Sequence, residues 1–134
     1  MTPEELKERL TAFGIDVVRF CRQLRALPEA RSIAAQLSDC GTAISSNYRA
    51  ACRARSRREF ISRLAVAVEE ADEAVGWFKI VRGAELATGS EVTRLFQEAQ
   101  EILSILAASR RTAEQRDRKN RTVGSAGPPG RQAT

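Results

Sequence analysis

Near its start the chain places Leu6, Leu10, Phe13, Val17, Phe20, Leu24 and Leu27 alternately four and three residues apart, without a break. A repeat averaging 3.5 residues keeps one narrow stripe of an α-helix turned toward a neighbouring helix, crossed at about 20°. The stripe recurs three times. Ile33, Leu37, Cys40, Ile44, Asn47 and Ala51 form the second. Phe60, Leu64, Ala67, Ala71, Ala74, Phe78 and Val81 form the third, widened by Ile61, Val68 and Val75. Val92, Leu95, Ala99, Ile102 and Leu106 form the fourth, reinforced by Phe96 and Leu103. No segment sustains the period-two alternation of a strand.

The punctuation between stripes sets the helix ends. Thr2-Pro3-Glu4-Glu5 supplies the N-cap, the N1 proline and the N3 glutamate of a capping box. Pro28 interrupts the first stripe and opens a second helix from about Glu29 to Arg53. Ser56, with Glu59 three residues on, starts a third that runs to about Arg82, where Gly83 fits a stop. Thr88-Gly89-Ser90 is a loop into the fourth. The first two connections are very short, so neighbours run antiparallel. The pattern predicts an all-α, up-down-up-down antiparallel four-helix bundle over residues 1–108. Pro28 and the glycine-containing loop at 83–89 argue against a continuous coiled coil. From 109 to 134 the only large apolar residue is Val123, and GSAGPPG falls near the end, so this stretch reads as a flexible, disordered basic tail.

The tail also carries the charge excess. It holds seven Lys/Arg against two acidic residues, which leaves fifteen of each sign in the body, so the net +5 belongs to the tail. A basic arm suits sequence-independent contact with a polyanion, and equally a solubilising extension. The chain has no histidine, which removes His-based acid/base chemistry, Ser-His triads and His metal ligands together. Cys21, Cys40 and Cys52 are odd in number and form no C-x-x-C pair, which reads as reduced, buried thiols of a cytoplasmic protein. Zinc would need a further soft ligand. No apolar run approaches the length of a membrane span, and MTPEELKERL is not a signal peptide, so neither membrane insertion nor secretion is expected.

The residues that stand out lie between Ser45 and Glu73. Asn47 occupies a stripe position that calls for an apolar residue. It reads as a register-fixing polar contact, with a partner expected on a facing helix, rather than as a ligand site. Arg49, Arg53, Arg55, Arg57, Arg58 and Arg63 form a dense cationic knot. Arg49 and Arg53 complement the negative end of the second helix, but Arg57 and Arg58 open the third, where cations cost about 0.3–1 kcal/mol each. A solvated corner tolerates that conflict; an anionic partner, either a phosphate backbone or carboxylates of another subunit, would explain it. Glu69, Glu70, Asp72 and Glu73 form an acidic patch. Di-metal bundles use Glu-x-x-His, which this chain cannot supply, so Glu70 reads instead as the ion-pair partner of Arg49 or Arg53. Trp77 reads as a core cap or an interface anchor, and Tyr48 as an extension of the small-residue strip Ala34, Ser38, Gly41 and Ser45. Few aromatics accompany the arginines, which speaks against stacking on single-stranded bases.

The stretch Gln36–Ala74, QLSDCGTAISSNYRAACRARSRREFISRLAVAVEEADEA, resembles the small bacterial four-helix-bundle proteins first described from intervening sequences in large-subunit ribosomal RNA genes. That family includes the accessory variability determinant of diversity-generating retroelements. Ile44, Asn47, Arg55, Ser56, Glu59 and Phe60 fall on its Ser-Ile-x-x-Asn and Arg-x-Ser-x-x-Glu-Phe pattern, and Leu27-Pro28 fits its first turn. Where family members often carry Ala-Glu-Gly, this chain has Arg49-Ala50-Ala51, a more basic helix end. The resemblance implies a homo-oligomer, a pentameric ring, and no catalysis or cofactor. For retroelement members it also implies contact with nucleic acid and a reverse transcriptase through a basic surface. The expectation is therefore a non-enzymatic, homo-oligomeric bundle that binds RNA or DNA through Arg49, Arg53, Arg55, Arg57, Arg58 and Arg63. Asn47, Ser56, Glu59 and Glu70 would be its structural polar groups. The alternative is a purely structural assembly module.

Overall fold

Thr2 opens the first helix as its spacing predicts. Its hydroxyl accepts from the Glu5 amide at 3.1 Å, while the Glu5 carboxylate takes the Thr2 amide at 3.0 Å, so both halves of the capping box are present. In the computed structural model the described residues are 1–125, with side chains described through 122. Helix α1 spans Pro3–Arg25, and Pro28–Ala30 forms a single 3-10 turn. Helices α2 (Arg31–Cys52), α3 (Arg57–Gly83) and α4 (Ser90–Ser125) follow. No strand occurs among the described residues. Each helix packs on the next in order, and α1 and α4 close the square, meeting least closely of the neighbouring pairs.

The predicted stripes are the core. Leu6, Leu10, Phe13, Val17, Phe20 and Leu24 of α1 are buried, as are Leu64, Ala67, Ala71, Ala74, Phe78 and Val81 of α3, and Val92, Leu95, Ala99, Ile102 and Leu106 of α4. Phe20 and Phe78 meet across the centre with ring centroids 5.7 Å apart. Helix α2 departs from its predicted stripe at two places: Ala34 is buried while Ile33 is only half-buried, and Ile44 is followed into the core by Tyr48, not Asn47, and then by Ala51. Two successive four-residue steps keep pace with a straight helix of 3.6 residues per turn, which a strict heptad does not.

The helix ends differ from expectation in three places. Ser56 caps α3 by accepting from the Glu59 amide at 3.1 Å, but the Glu59 carboxylate takes the amide of Arg55, not that of Ser56, so the second half of the box is displaced by one residue. Helix α3 is terminated by Glu85, whose φ of 55° places it in the left-handed region. The Leu86 amide then reaches the Val81 carbonyl and the Glu85 amide the Arg82 carbonyl, while Gly83 remains helical. This is the Schellman arrangement with a glutamate where glycine is usual. The largest difference is at α4. A flexible tail was expected from residue 109, yet the helix continues to Ser125. Ala113 is buried one heptad beyond Leu106, and the pairs Arg110–Glu114 (2.9 Å) and Asp117–Arg121 (3.1 Å) lock successive turns. Only residues 126–134 of the expected tail lie outside the described ones.

Two contacts fix lateral distances. A Cβ on Gly41 would lie 2.8 Å from Cγ1 of the buried Val17, and one on Gly14 would lie 3.4 Å from the Gly41 carbonyl, so α1 and α2 approach as closely as glycine allows. Between α1 and α4 the Arg9 guanidinium forks onto Glu98 at 2.6 and 2.9 Å and reaches Glu101 at 3.2 Å, and Arg94 holds Asp16 at 3.3 Å. The hydrogen bond from Arg9 holds the Glu98 carboxyl below its ordinary 4.5 despite partial burial.

Replacing Gly41 by Ala should destabilise the fold by about 1–2 kcal/mol in urea titration, because the stiff, buried Val17 cannot yield and the overpacking outweighs the helix-propensity gain. Gly76→Ala, where a Cβ meets nothing within 4 Å, should instead stabilise by up to about 1 kcal/mol. Glu98→Gln should cost about 1 kcal/mol at neutral pH. Because its folded pKa is lowered, that contribution is complete above the unfolded value near 4.5 and vanishes as pH falls through the folded one, so wild type and variant should converge in acid.

Candidate nucleic-acid interface

The α2–α3 connection is four residues, Arg53 to Ser56, and it concentrates guanidinium groups at one end of the bundle. Arg53 is the C-cap of α2, Arg55 lies in the turn, and Arg57 and Arg58 are the first two residues of α3. All four are exposed, as are Arg49 and Arg63. None of these six guanidinium groups holds a carboxylate or a hydrogen-bond partner among the described residues. Arg9, Arg94, Arg110 and Arg121, by contrast, are ion-paired. Arg57 and Arg58 therefore stand at the positive end of the α3 dipole, where Glu59 is the first-turn acid and neither guanidinium is ion-paired.

The extension of α4 changes the surroundings of this corner. Arg58 and Ile61 share a groove with Glu114, Asp117, Arg118 and Arg121 of α4. The basic stretch that composition assigned to a separate tail thus lies beside the arginines as a helix. Arg111, Arg116, Arg118 and Lys119 are exposed and unpaired there, while the two acids of the stretch are occupied by Arg110 and Arg121. The result is a rigid cationic end with contributions from α2, α3 and α4. Arg49 lies to one side, in a groove with Glu4, Lys7 and Glu8 of α1, and Arg63 stands further along α3.

Two of the predicted polar roles need correction. Asn47 is half-buried on the flank of α2 and donates to the Ala43 carbonyl one turn back at 2.9 Å, so its partner is its own helix and it fixes no register. Tyr48 fills the core position instead and is nearly inaccessible; burial, with Cys52 beside it, pushes its phenol up to about 12. Glu70 does not pair with Arg49 or Arg53. Its carboxyl is raised above the ordinary 4.5 by desolvation and then by Glu73, Glu69 and Asp39, with no cation in reach. The arginines are at the helix ends, and Glu70 lies three turns along α3, which separates them by about 18 Å. Trp77 is half-buried against the core edge, beside Gln36, Glu73, Gly76 and Ile80.

Burial pushes the Cys21 thiol up to about 11 and the Cys40 thiol to about 12, the latter helped by Glu70 and Glu73, so both stay protonated at neutral pH. No three His, Cys, Asp or Glu side chains converge to hold a metal ion among the described residues. No described helix is long and apolar enough to cross a membrane. The inter-helix ion pairs of Arg9 and Arg94 were not foreseen, although a cation and an acid bordering the stripes of the first and last helices was the available signal. The four-residue spacing of Arg110–Glu114 and Asp117–Arg121, with Ala113 one heptad past Leu106, could likewise have extended α4.

The model of the 23S rRNA-intervening sequence protein family matches residues 5–108. Among solved structures, the chain is similar to a protein of unknown function from the S23 ribosomal protein family of Bacteroides thetaiotaomicron VPI-5482. The two are 25% identical with a TM-score of 0.76, over 83% of this chain and 99% of that one. No functionally curated protein matches the chain.

The raised carboxyl of Glu70 gives a sign that can be checked. Ionised Glu70 is a cost to the fold, so stability attributable to it falls as pH rises from the ordinary 4.5 through the raised folded value. Glu70→Gln should raise the melting temperature of dilute protein at neutral pH. It should have no effect in acid, where the wild-type carboxyl is already protonated.

Proposed function

Because the chain belongs to the 23S rRNA-intervening sequence protein family, we propose that it is a non-enzymatic, homo-oligomeric accessory protein that binds RNA or DNA through the cationic end of its bundle. The observation that carries this reading is the set of guanidinium groups at Arg53, Arg55, Arg57 and Arg58. They are held without carboxylate partners on helix ends and a four-residue turn, beside the unpaired cations of α4. Arginine forks on rigid elements suit phosphate oxygens, and binding of this kind releases counterions without reading sequence. Base stacking has no support here: Tyr48 is in the core, and Trp77 lies some twenty residues, about 30 Å, along α3 from the corner. The absence of histidine and the neutral thiols of Cys21 and Cys40 support a role without catalysis or a cofactor. In line with the family resemblance, the assembly is a pentamer acting in the cytoplasm, with a reverse transcriptase-like protein as the class of protein partner. A purely structural assembly role draws on a separate observation, the uncompensated acids Asp39, Glu69, Glu70 and Glu73.

Replacing Arg55, Arg57 and Arg58 together by Ala should weaken binding to an RNA hairpin and to duplex DNA at least about tenfold at low salt. It should also reduce the slope of log affinity against log salt by about 2–3. Unchanged affinity and slope in a salt titration would overturn the reading; a change of assembly mass with no change in affinity would favour the structural role.

A further inference from the structure

Two surfaces away from the cationic end have no partner among the described residues. The first is a groove between α1 and α2. Gly14 and Gly41 bring these helices so close that Gly14 and Thr42 form a low floor, and Ile15, 48% exposed, stands at its edge beside Val18. Arg19 and Arg22 border it, both exposed and without a carboxylate among the described residues. The second is a ridge on α3: Val66, Glu70, Glu73, Trp77 and Ile80, spaced four, three, four and three residues apart, hence one helical stripe. Val66 is 37% and Ile80 47% exposed, and the carboxylates of Glu70 and Glu73 hold no cation among the described residues.

The two surfaces are complementary in charge, one apolar with arginines and the other apolar with glutamates. They flank α2 on opposite sides, the groove against Thr42 and Ser45 and the ridge against Gln36, so they cannot meet within one molecule. Their levels along the bundle also correspond. Thr11 touches Ser45 at 3.0 Å, and Val17 lies against Gly41. Cys40 lies close to both Glu70 and Glu73, and Gln36 shares a hollow with Trp77 and Ile80. In two copies standing side by side with parallel axes, Arg19 and Arg22 come level with Glu73 and Trp77, and Ile15 falls between Val66 and Glu73.

We propose that the α1–α2 groove of one copy receives the α3 ridge of a second, with Arg19 and Arg22 on Glu70 and Glu73 and with Ile15 and Val66 covered. This names the surfaces of the self-association in the proposed function and rests on that part of it. The contact is heterologous, head to tail, so each copy keeps one free groove and one free ridge and assembly continues to a ring or a filament. Arg22 also reaches the level of Trp77, where a guanidinium can stack on the indole. Parallel docking places every cationic corner on the same rim.

The test is a pair of charge reversals measured by light scattering on gel-filtered protein, with circular dichroism as the folding control. Wild type should run as an assembly. The double variant Arg19→Glu/Arg22→Glu and the double variant Glu70→Arg/Glu73→Arg should each fall to the single-chain mass of 14.8 kDa. Mixed in equal amounts the two should re-associate, because each then meets a complementary surface, and a misfolded variant could not. A monomeric wild type, variants that keep the wild-type mass, or folded variants that fail to re-associate when mixed would each overturn the docking. The arginine corner is intact in both variants, so RNA binding by the dissociated chains is read separately; variants that keep the wild-type mass overturn the docking alone, whereas a monomeric wild type also removes the self-association on which it rests.

Discussion

At Gly41 the second helix carries no side chain, and Val17 of the first stands where a Cβ would be. The separation of α1 and α2 follows from that contact, and interiors packed to crystal-like density transmit such a distance to their neighbours. With α1 and α2 drawn together, Thr11 and Ser45 meet, Phe20 is aimed across the core at Phe78, and the outer surface between the two helices is left as a shallow, small-residue groove. A bundle with alanine at Gly41 would need a wider spacing on that side, and the mutual fit of all four stripes would change with it.

Charge is sorted by location. The core contains no polar or charged side chain among the described residues, so electrostatics acts on the flanks. On the α1–α4 side opposite charges are matched within the chain, by Arg9 with Glu98 and Glu101 and by Asp16 with Arg94. On the α2–α3 side they are separated along the helix axis, with arginines at the turn and carboxylates in the middle, too far apart to neutralise one another. A chain whose body holds equal numbers of both signs thereby presents two strongly polarised regions, and its net charge conceals both.

The fold was legible because its signal was redundant. The apolar stripes, the Thr2–Glu5 capping box and Pro28 agree on α1 and α2, and nearly every predicted stripe residue is buried. Asn47 was misplaced because extrapolating a 3.5-residue repeat through Ile44 ignores the drift of a straight helix, which brings Tyr48 inward. The end of α4 was misplaced because composition measures whether a segment can bury surface of its own. It does not register that a helix already begun continues cheaply once its nucleus exists. The arginine corner was legible as a conflict with the helix dipole. Glu70 was not, since pairing depends on distance along the bundle, and two residues adjacent in a charge inventory can lie several turns apart.

The side joining α1 to α4 is unlike the other three. It links the first and last helices, so closing it costs the most chain entropy, and it is the side where the helices meet least closely and ion pairs bridge them. Local opening in folded proteins follows the interfaces with the fewest buried apolar contacts. The bundle therefore has three close seams, with α4 packed on α3 much as α1 is on α2, and one looser edge that runs along Arg9 and Arg94. Ionic strength, which screens those ion pairs without touching the core, tunes how readily that edge opens.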